Sequence, residues 1–233
     1  MRFLSRGRRA LLASSLPLVV AGATLALTAS PAAAATAGSR WLLDEPAGSS
    51  TAKDSLGNAD GKVHGPVVSG LPGFQGGAFS FPSASAWVEV ANQAALNPGT
   101  NDFSYSAYVK LTTVPSSSTV TYDVIRKGLS TTSTGEFKLE VIKGGRIRCT
   151  AKDSVRTRLS LVGPSTSVGD GRWHHIACSR TGNTWRATVD SASTTKQAPL
   201  KSISNSLALA IGSKYGKQDN VPGLVDDVEL TIG

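Results

Sequence analysis

The chain has 233 residues, with 24 Lys and Arg against 16 Asp and Glu, three His and two Cys. Four of the arginines stand among the first nine residues, so the remainder is mildly basic, 20 against 16, and scattered in sign. It carries no basic stripe and no nucleic-acid reading motif, which excludes nucleic acid as a partner. Its length suits one domain burying about 70% of its unfolded surface, with no metal needed to supply a core.

The N-terminus comes first. Arg2, Arg6, Arg8 and Arg9 form a basic head, an apolar run extends from Ala10 to about Leu27, and Pro31 and four alanines follow. This order reads as a secretory signal peptide cut near Ala34 or Ala35. A retained anchor is the alternative, since the run is nearly long enough to span a bilayer, but Pro17, Ser14, Ser15 and Thr24 interrupt it. Arg8-Arg9 ahead of Leu11-Leu12 leaves a twin-arginine export route open. Residues 1–35 are therefore expected to be removed, and 36–233 to form one secreted, extracellular domain without a membrane span.

Beyond the leader, alternation of apolar and polar residues predicts strands. Phe103, Tyr105, Ala107, Val109 and Leu111 point one way; Ser104, Ser106, Tyr108 and Lys110 point the other. Phe137, Leu139 and Val141 alternate with Glu136, Lys138 and Glu140, and Val228, Leu230 and Ile232 with Asp227, Glu229 and Thr231. Shorter strands are predicted at 40–44, 78–81, 87–90, 123–126, 146–150, 158–161, 174–179, 185–189 and 207–211. Turn signals separate them, among them Gly73 to Gly77, Asn97-Pro98-Gly99, Gly169-Asp170-Gly171 and Thr181-Gly182-Asn183. Many short strands with one apolar face each predict an all-β fold of two antiparallel sheets packed face to face.

Two cysteines in an exported chain predict one disulfide, Cys149 to Cys178, both on predicted strands. Neighbouring strands would make it a cross-strand staple. Two reactive thiols are the rival reading, but no C-x-x-C motif supports it.

Taken in order, several segments resemble one family. They are Trp41-Leu-Leu-Asp-Glu-Pro-Ala-Gly48, Asp54-Ser-Leu-Gly-Asn58, Gly77-Ala-Phe-Ser-Phe81, Trp87-Val-Glu-Val90, Phe103-Ser-Tyr-Ser-Ala-Tyr-Val109 and Ile125-Arg-Lys-Gly128. Asp170-Gly-Arg-Trp-His-His-Ile-Ala177, Val189-Asp190 and Gly223-Leu-Val-Asp-Asp-Val228 complete the series. Together they resemble the laminin G-like jelly roll of the concanavalin A-like lectin/glucanase superfamily, from Arg40 to Gly233. The family usually places glycine after the aspartate of its Val-Asp turn, where this chain has Ser191. The resemblance implies a jelly-roll sandwich serving as a non-catalytic, lectin-like module for an extracellular glycan. A protein-binding adhesion or structural module is the alternative, and a diverged polysaccharide hydrolase a more distant one.

Candidate chemistry is sparse. His174 and His175 are adjacent on a predicted strand, so their rings diverge and cannot share a zinc ion. Trp173 opens that strand and is predicted to pack in the core. The glucanase E-x-D-x-x-E run is absent. Glu136 and Glu140 share a face at about 13 Å along a strand, beyond the roughly 6.5–9.5 Å of inverting glycosidases, and read with Lys138 as a solvated face. The resemblance also implies one structural Ca2+ joining an N-terminal loop to the last strand. The matching positions are Asp54, the Gly57 carbonyl and Asp227, with Asp226 and Asn58 as weaker choices. An Asx turn at Asp54 and a solvated Asp227 are the competing reading. Sugar stacking requires exposed aromatics, for which Trp87, Trp185, Tyr108, Tyr122 and Tyr215 are candidates; Trp185 is predicted to face inward, and Tyr108 and Tyr215 are the better placed for exposure.

Overall fold

In a computed structural model, residues 37–57 and 59–233 are described. The predicted leader at 1–35 and the weaker calcium candidate Asn58 lie outside them. Among the described residues no helix is long and apolar enough to cross a membrane.

Two eight-stranded antiparallel sheets pack face to face. In the first, strands run in the order Ala192–Gln197, Thr184–Val189, Trp173–Thr181, Phe103–Leu111, Gly223–Ile232, Gly77–Ser80 and Val68–Pro72, and Ala37–Trp41 also pairs with Gly223–Ile232. In the second, the order is Arg158–Val162, Ile147–Lys152, Glu136–Val141, Tyr122–Lys127, Leu209–Ile211, Trp87–Val90, Gly61–His64 and Thr51–Ala52. The two packed antiparallel sheets expected from the alternation, and the jelly roll that the resemblance implies, are the observed architecture.

Alternation decides which residues make the core. Along Phe103–Leu111 every odd position is buried and every even one half-exposed. Phe103 meets Phe137 of the facing sheet and Trp185 of its own sheet edge-on, at centroid distances of 5.5 and 5.7 Å. Trp185 is fully buried, as predicted, and each large apolar side chain withdrawn in this way contributes about 1.5–3 kcal/mol.

Turn chemistry sets the strand registers. Thr181 pairs with Thr184 around a two-residue loop in which Gly182 has φ of 56°, a conformation natural to glycine. In the Val-Asp turn, Val189 pairs with Ala192, and Asp190 itself takes positive φ, 52°. Aspartate tolerates that region, so Ser191 in the family's glycine position is accommodated.

Cys149 and Cys178 are disulfide-bonded, with Cα atoms 5.7 Å apart. Their strands do not neighbour each other. Cys149 lies on Ile147–Lys152 of the second sheet and Cys178 on Trp173–Thr181 of the first. The bond therefore joins the two sheets through the core instead of stapling adjacent strands.

Candidate functional site

The last strand contains an irregularity that organises one outer face. Between Asp226 and Glu229 its register with Phe103–Leu111 shifts: Asp226 pairs with Tyr108 but Glu229 with Ser106. Three steps on one strand match two on the other, and Asp227 is the extra residue, at φ of 48°. The shift leaves Val225, Val228 and Leu230 in the core. It places Asp226 beside Tyr108 on the outer face of the first sheet.

Asp226 then holds a loop. Its Oδ2 accepts from the backbone N–H of Phe74 at 2.7 Å and of Gln75 at 3.1 Å. Asp44 Oδ1 accepts from Gly77 N at 2.5 Å. Gly76 has φ of 63°, and a Cβ there would lie 2.3 Å from Asp44 Oδ1, so this turn closes only with glycine. Thus pinned, the loop lays the Phe74 ring flat on Tyr108, with centroids 4.0 Å apart and planes 11° from parallel. Trp173 meets Phe74 edge-on at 6.5 Å, and His175 tilts against Tyr108 at 4.9 Å. Phe74 is 45% exposed. The result is an aromatic platform with an imidazole and the exposed Gln75 beside it.

Trp173 therefore is not a core residue. In strand Trp173–Thr181 it shares the outward parity of His175, while Ile176 and Cys178 face inward. The divergence of the two histidines holds. His174 Nδ1 lies 2.8 Å from Asp190 Oδ2 and Nε2 lies 3.0 Å from Asp170 Oδ1, away from the platform. Tyr108 belongs to the platform, whereas Tyr215 sits against the other sheet. Tyr215 is half-buried instead of solvent-exposed, because its hydroxyl accepts from Gly128 N at 2.7 Å and donates to Ala208 O at 3.1 Å. Burial raises its phenol pKa, the bond from Gly128 opposing that rise. Phe74, the most exposed member of the platform, is not among the aromatics predicted from the sequence. The signal was an aromatic at the tip of Gly73-Phe-Gln-Gly-Gly77, a stretch whose glycines mark it only as a turn.

The predicted calcium ligands come together at Arg40. Asp54 Oδ1 accepts from Arg40 N at 2.8 Å and Leu56 N at 3.0 Å, and Oδ2 from Ala59 N at 3.0 Å. The bond to Leu56 is an Asx turn. Gly57 donates its N–H to Asp54 O. Asp227 receives the Arg40 guanidinium through both oxygens, at 2.6 and 2.7 Å. A cation at Asp227 would have to displace that guanidinium, so Asp54, Gly57 and Asp227 as placed do not fit Ca2+. The weaker candidate, Asp226, is placed differently. It is buried, and its Oδ1 has no hydrogen-bond partner among the described residues. Burial raises its pKa, opposed by the Phe74 and Gln75 N–H groups and reinforced by Asp227 and Asp44. A buried acceptor left open beside a second carboxylate is an arrangement suited to a hard cation. Among the described residues no group of three or more His, Cys, Asp or Glu is clustered for a metal, so backbone carbonyls would complete such a shell.

On the second sheet, Glu136, Lys138 and Glu140 do not form a solvated face. Glu140 is fully buried, bonded by Lys138 Nζ and Arg148 Nε at 2.6 Å each and by Thr150 Oγ1 at 3.1 Å. Burial works to raise its pKa, but Arg148 and Lys138 hold it below the usual carboxylate value. Loops cross above: Lys152 donates to Leu129 O and Ser130 O, and Asp123 N to Asp219 O. Those loops bury side chains that alternation places on the outside.

This is a two-sheet jelly roll with one exposed aromatic platform and one covered, charged face. Residues 82–231 match the laminin G-like family model of the Concanavalin A-like lectin/glucanases superfamily, and the chain belongs to that family. No curated protein matches the chain in sequence. Among solved structures it is similar to the binding domain of Paraclostridial Mosquitocidal Protein 1, with a TM-score of 0.66 and 14% identity over 84% of this chain and 48% of that one. It is similar to domain 4 of AbnA, a GH43 extracellular arabinanase from Geobacillus stearothermophilus solved with arabinotriose. There the TM-score is 0.63 and identity 14%, over 84% of this chain and 91% of that one. It is also similar to Trypanosoma rangeli sialidase, with a TM-score of 0.56 and 12% identity over 82% of this chain and 30% of that one. The chain thus spans about half the length of the toxin domain and under a third of the sialidase. At these identities the likeness is one of fold.

Proposed function

We propose that the chain is a secreted, non-catalytic recognition module that binds an extracellular glycan. The observation that carries this reading is the Phe74 ring, held flat on Tyr108 by the pinned loop and exposed to solvent. A flat, rigid aromatic face with polar neighbours is suited to the apolar face of a pyranose. Two of the structures similar in fold are described as a binding domain and as a domain solved with arabinotriose, which supports a binding role. Secretion rests on the basic head and apolar run of residues 1–35 and on the disulfide, a bond that persists in oxidising compartments. Hydrolysis by Glu140 is disfavoured because its oxygens are already paired with Lys138, Arg148 and Thr150.

The calcium that the family implies would be held by Asp226 and Asp44. Bound there, it would supply charge compensation beneath the loop that carries Phe74.

A glycan array run with and without calcium tests the reading. Saturable binding to a defined set of neutral glycans, lost in Phe74→Ala, is the expected result. Capture of a protein with no glycan retained would transfer the platform to the adhesion reading. Release of reducing ends from a bound polysaccharide would overturn the non-catalytic one.

A further inference from the structure

We propose a second binding site, in the groove on the outer face of the second sheet, for an acidic saccharide of the hexuronate type. Glu136 accepts from the sugar's hydroxyls, while Arg148, Arg158 and Lys214 take its carboxylate.

The groove has a volume of about 290 Å3. Its floor and its rim differ in sign. Glu136 and Glu140 beneath are 2% and 0% exposed, whereas the cationic side chains of Arg158, Lys214 and Arg148 above are 54%, 34% and 29% exposed. What a ligand meets first is positive charge, and charge complementarity favours an anion.

The two floor carboxylates are in different states. Glu140 accepts three hydrogen bonds from its neighbours. Glu136 accepts none among the described residues, and its Oε2 is buried without a partner. Its nearest cations, Arg126 Nη2 and Arg158 Nη1, stand 3.7 Å away, beyond hydrogen-bond reach. A buried carboxylate without donors is costly. Donors entering with a ligand would remove that cost.

The rim has capacity to spare. Arg148 spends Nε on Glu140, and Arg158 spends Nη2 on Ser130 O at 2.9 Å. Lys214 is 3.8 Å from Asp219. Among the described residues no acceptor is bonded to either Nη group of Arg148, which leaves both for an incoming oxyanion, the fork geometry suited to a carboxylate.

Open acceptors below and open cationic donors above call for one ligand that carries hydroxyls and a carboxylate together. A uronic acid has both on one ring. An acidic peptide offers the charge without the hydroxyls. The choice of a saccharide rests on the glycan-binding reading above; the site itself does not involve Phe74.

Calorimetry of the full chain with trigalacturonate, neutral galactotriose and triglutamate tests this. Trigalacturonate is expected to bind one to one, weakening as salt rises, and galactotriose and triglutamate to bind at least about tenfold more weakly. Arg158→Ala, at an exposed position, and Glu136→Gln, which keeps the shape, should each weaken trigalacturonate about tenfold or more. Their melting temperatures separate a lost contact from a lost fold. Phe74→Ala should leave trigalacturonate binding unchanged. No trigalacturonate binding, or equal binding of all three probes, overturns the site. If triglutamate matches trigalacturonate, charge alone is being recognised and the role of Glu136 is overturned. If neutral glycans still bind through Phe74 while trigalacturonate fails, only the second site falls.

Discussion

Arg40 grips Asp227 through both carboxylate oxygens, Nε to Oδ1 at 2.6 Å and Nη2 to Oδ2 at 2.7 Å, across 187 positions of sequence. The pair ties the first strand of the domain to the bulge of the last. Its hydrogen bond and charge hold the Arg40 pKa above its already high ordinary value, against some loss of hydration.

Arg40→Ala should destabilise the domain by about 1–3 kcal/mol, the penalty for leaving a largely buried acceptor such as Asp227 without its donor. Asp227→Asn keeps a residue tolerant of positive φ and should cost a similar amount. The double variant should cost little more than either single one. Urea unfolding of all three provides the check, and additive losses would show that the two side chains do not act as a pair.

Calcium should raise the melting temperature of the unaltered chain, and EDTA should reverse the rise. The response should survive Asp227→Asn, whose carboxylate is already occupied by Arg40, and disappear in Asp226→Asn. The opposite pattern would return the cation to Asp227.

Stability should respond to pH through His174. Burial disfavours its charge, but hydrogen bonds and attraction from Asp190 and Asp170 outweigh this and raise its pKa above the ordinary value of about 6.5. The folded chain therefore holds the proton more tightly than the unfolded one. The resulting stabilisation is complete below about pH 6.5 and is lost as pH climbs through the raised folded value. Urea midpoints from about pH 5.5 to about pH 8.5 should decline across that window, and His174→Gln should flatten the decline. A variant with the same pH profile as the unaltered chain would remove His174 from the account.

Reduction of the Cys149–Cys178 bond, which closes a separation of 29 residues, should cost about 3–4 kcal/mol of stability. For a domain of this size that lowers the melting temperature by about 10 °C. Melting curves with and without reductant, repeated on Cys149→Ala/Cys178→Ala, should show the reductant effect only in the unaltered chain.

Phe74→Ala should lower stability by about 1 kcal/mol or less, because the ring is nearly half exposed and loses chiefly its stacking on Tyr108. Its effect on retention by a glycan that the unaltered chain binds should be roughly tenfold or more. Retention that survives the substitution would locate the site elsewhere.

The core was legible because alternation is local. Phe103, Tyr105 and Val109 could be assigned to one side from their own segment, and the ordered series from Trp41 to Val228 identified the fold. Strand Ala192–Gln197 was not legible: it reads ASTTKQ, pairs on one edge only, and has no apolar face to reveal it. The sites were hidden for a different reason. Alternation assigns Glu136 and Trp173 to a side of a sheet, but it does not say what lies over that side. Glu136 is buried beside Arg126 and Arg158, the latter anchored to Ser130, and Trp173 is left outside beside a loop tip a hundred residues earlier. Asp226 and Asp227 are adjacent, yet a one-residue bulge, invisible in composition, sends one carboxylate to the Phe74 loop and the other to Arg40.

The inter-sheet disulfide has one more consequence. It ties together two sheets packed face to face, whose outer faces, and with them the Phe74 platform and the Glu136 groove, look in opposite directions. Were both proposed sites occupied, one chain would bridge two polymer chains without a second copy of itself. A neutral and an acidic polysaccharide mixed with it would then co-precipitate at matched stoichiometry and redissolve when the protein is in excess.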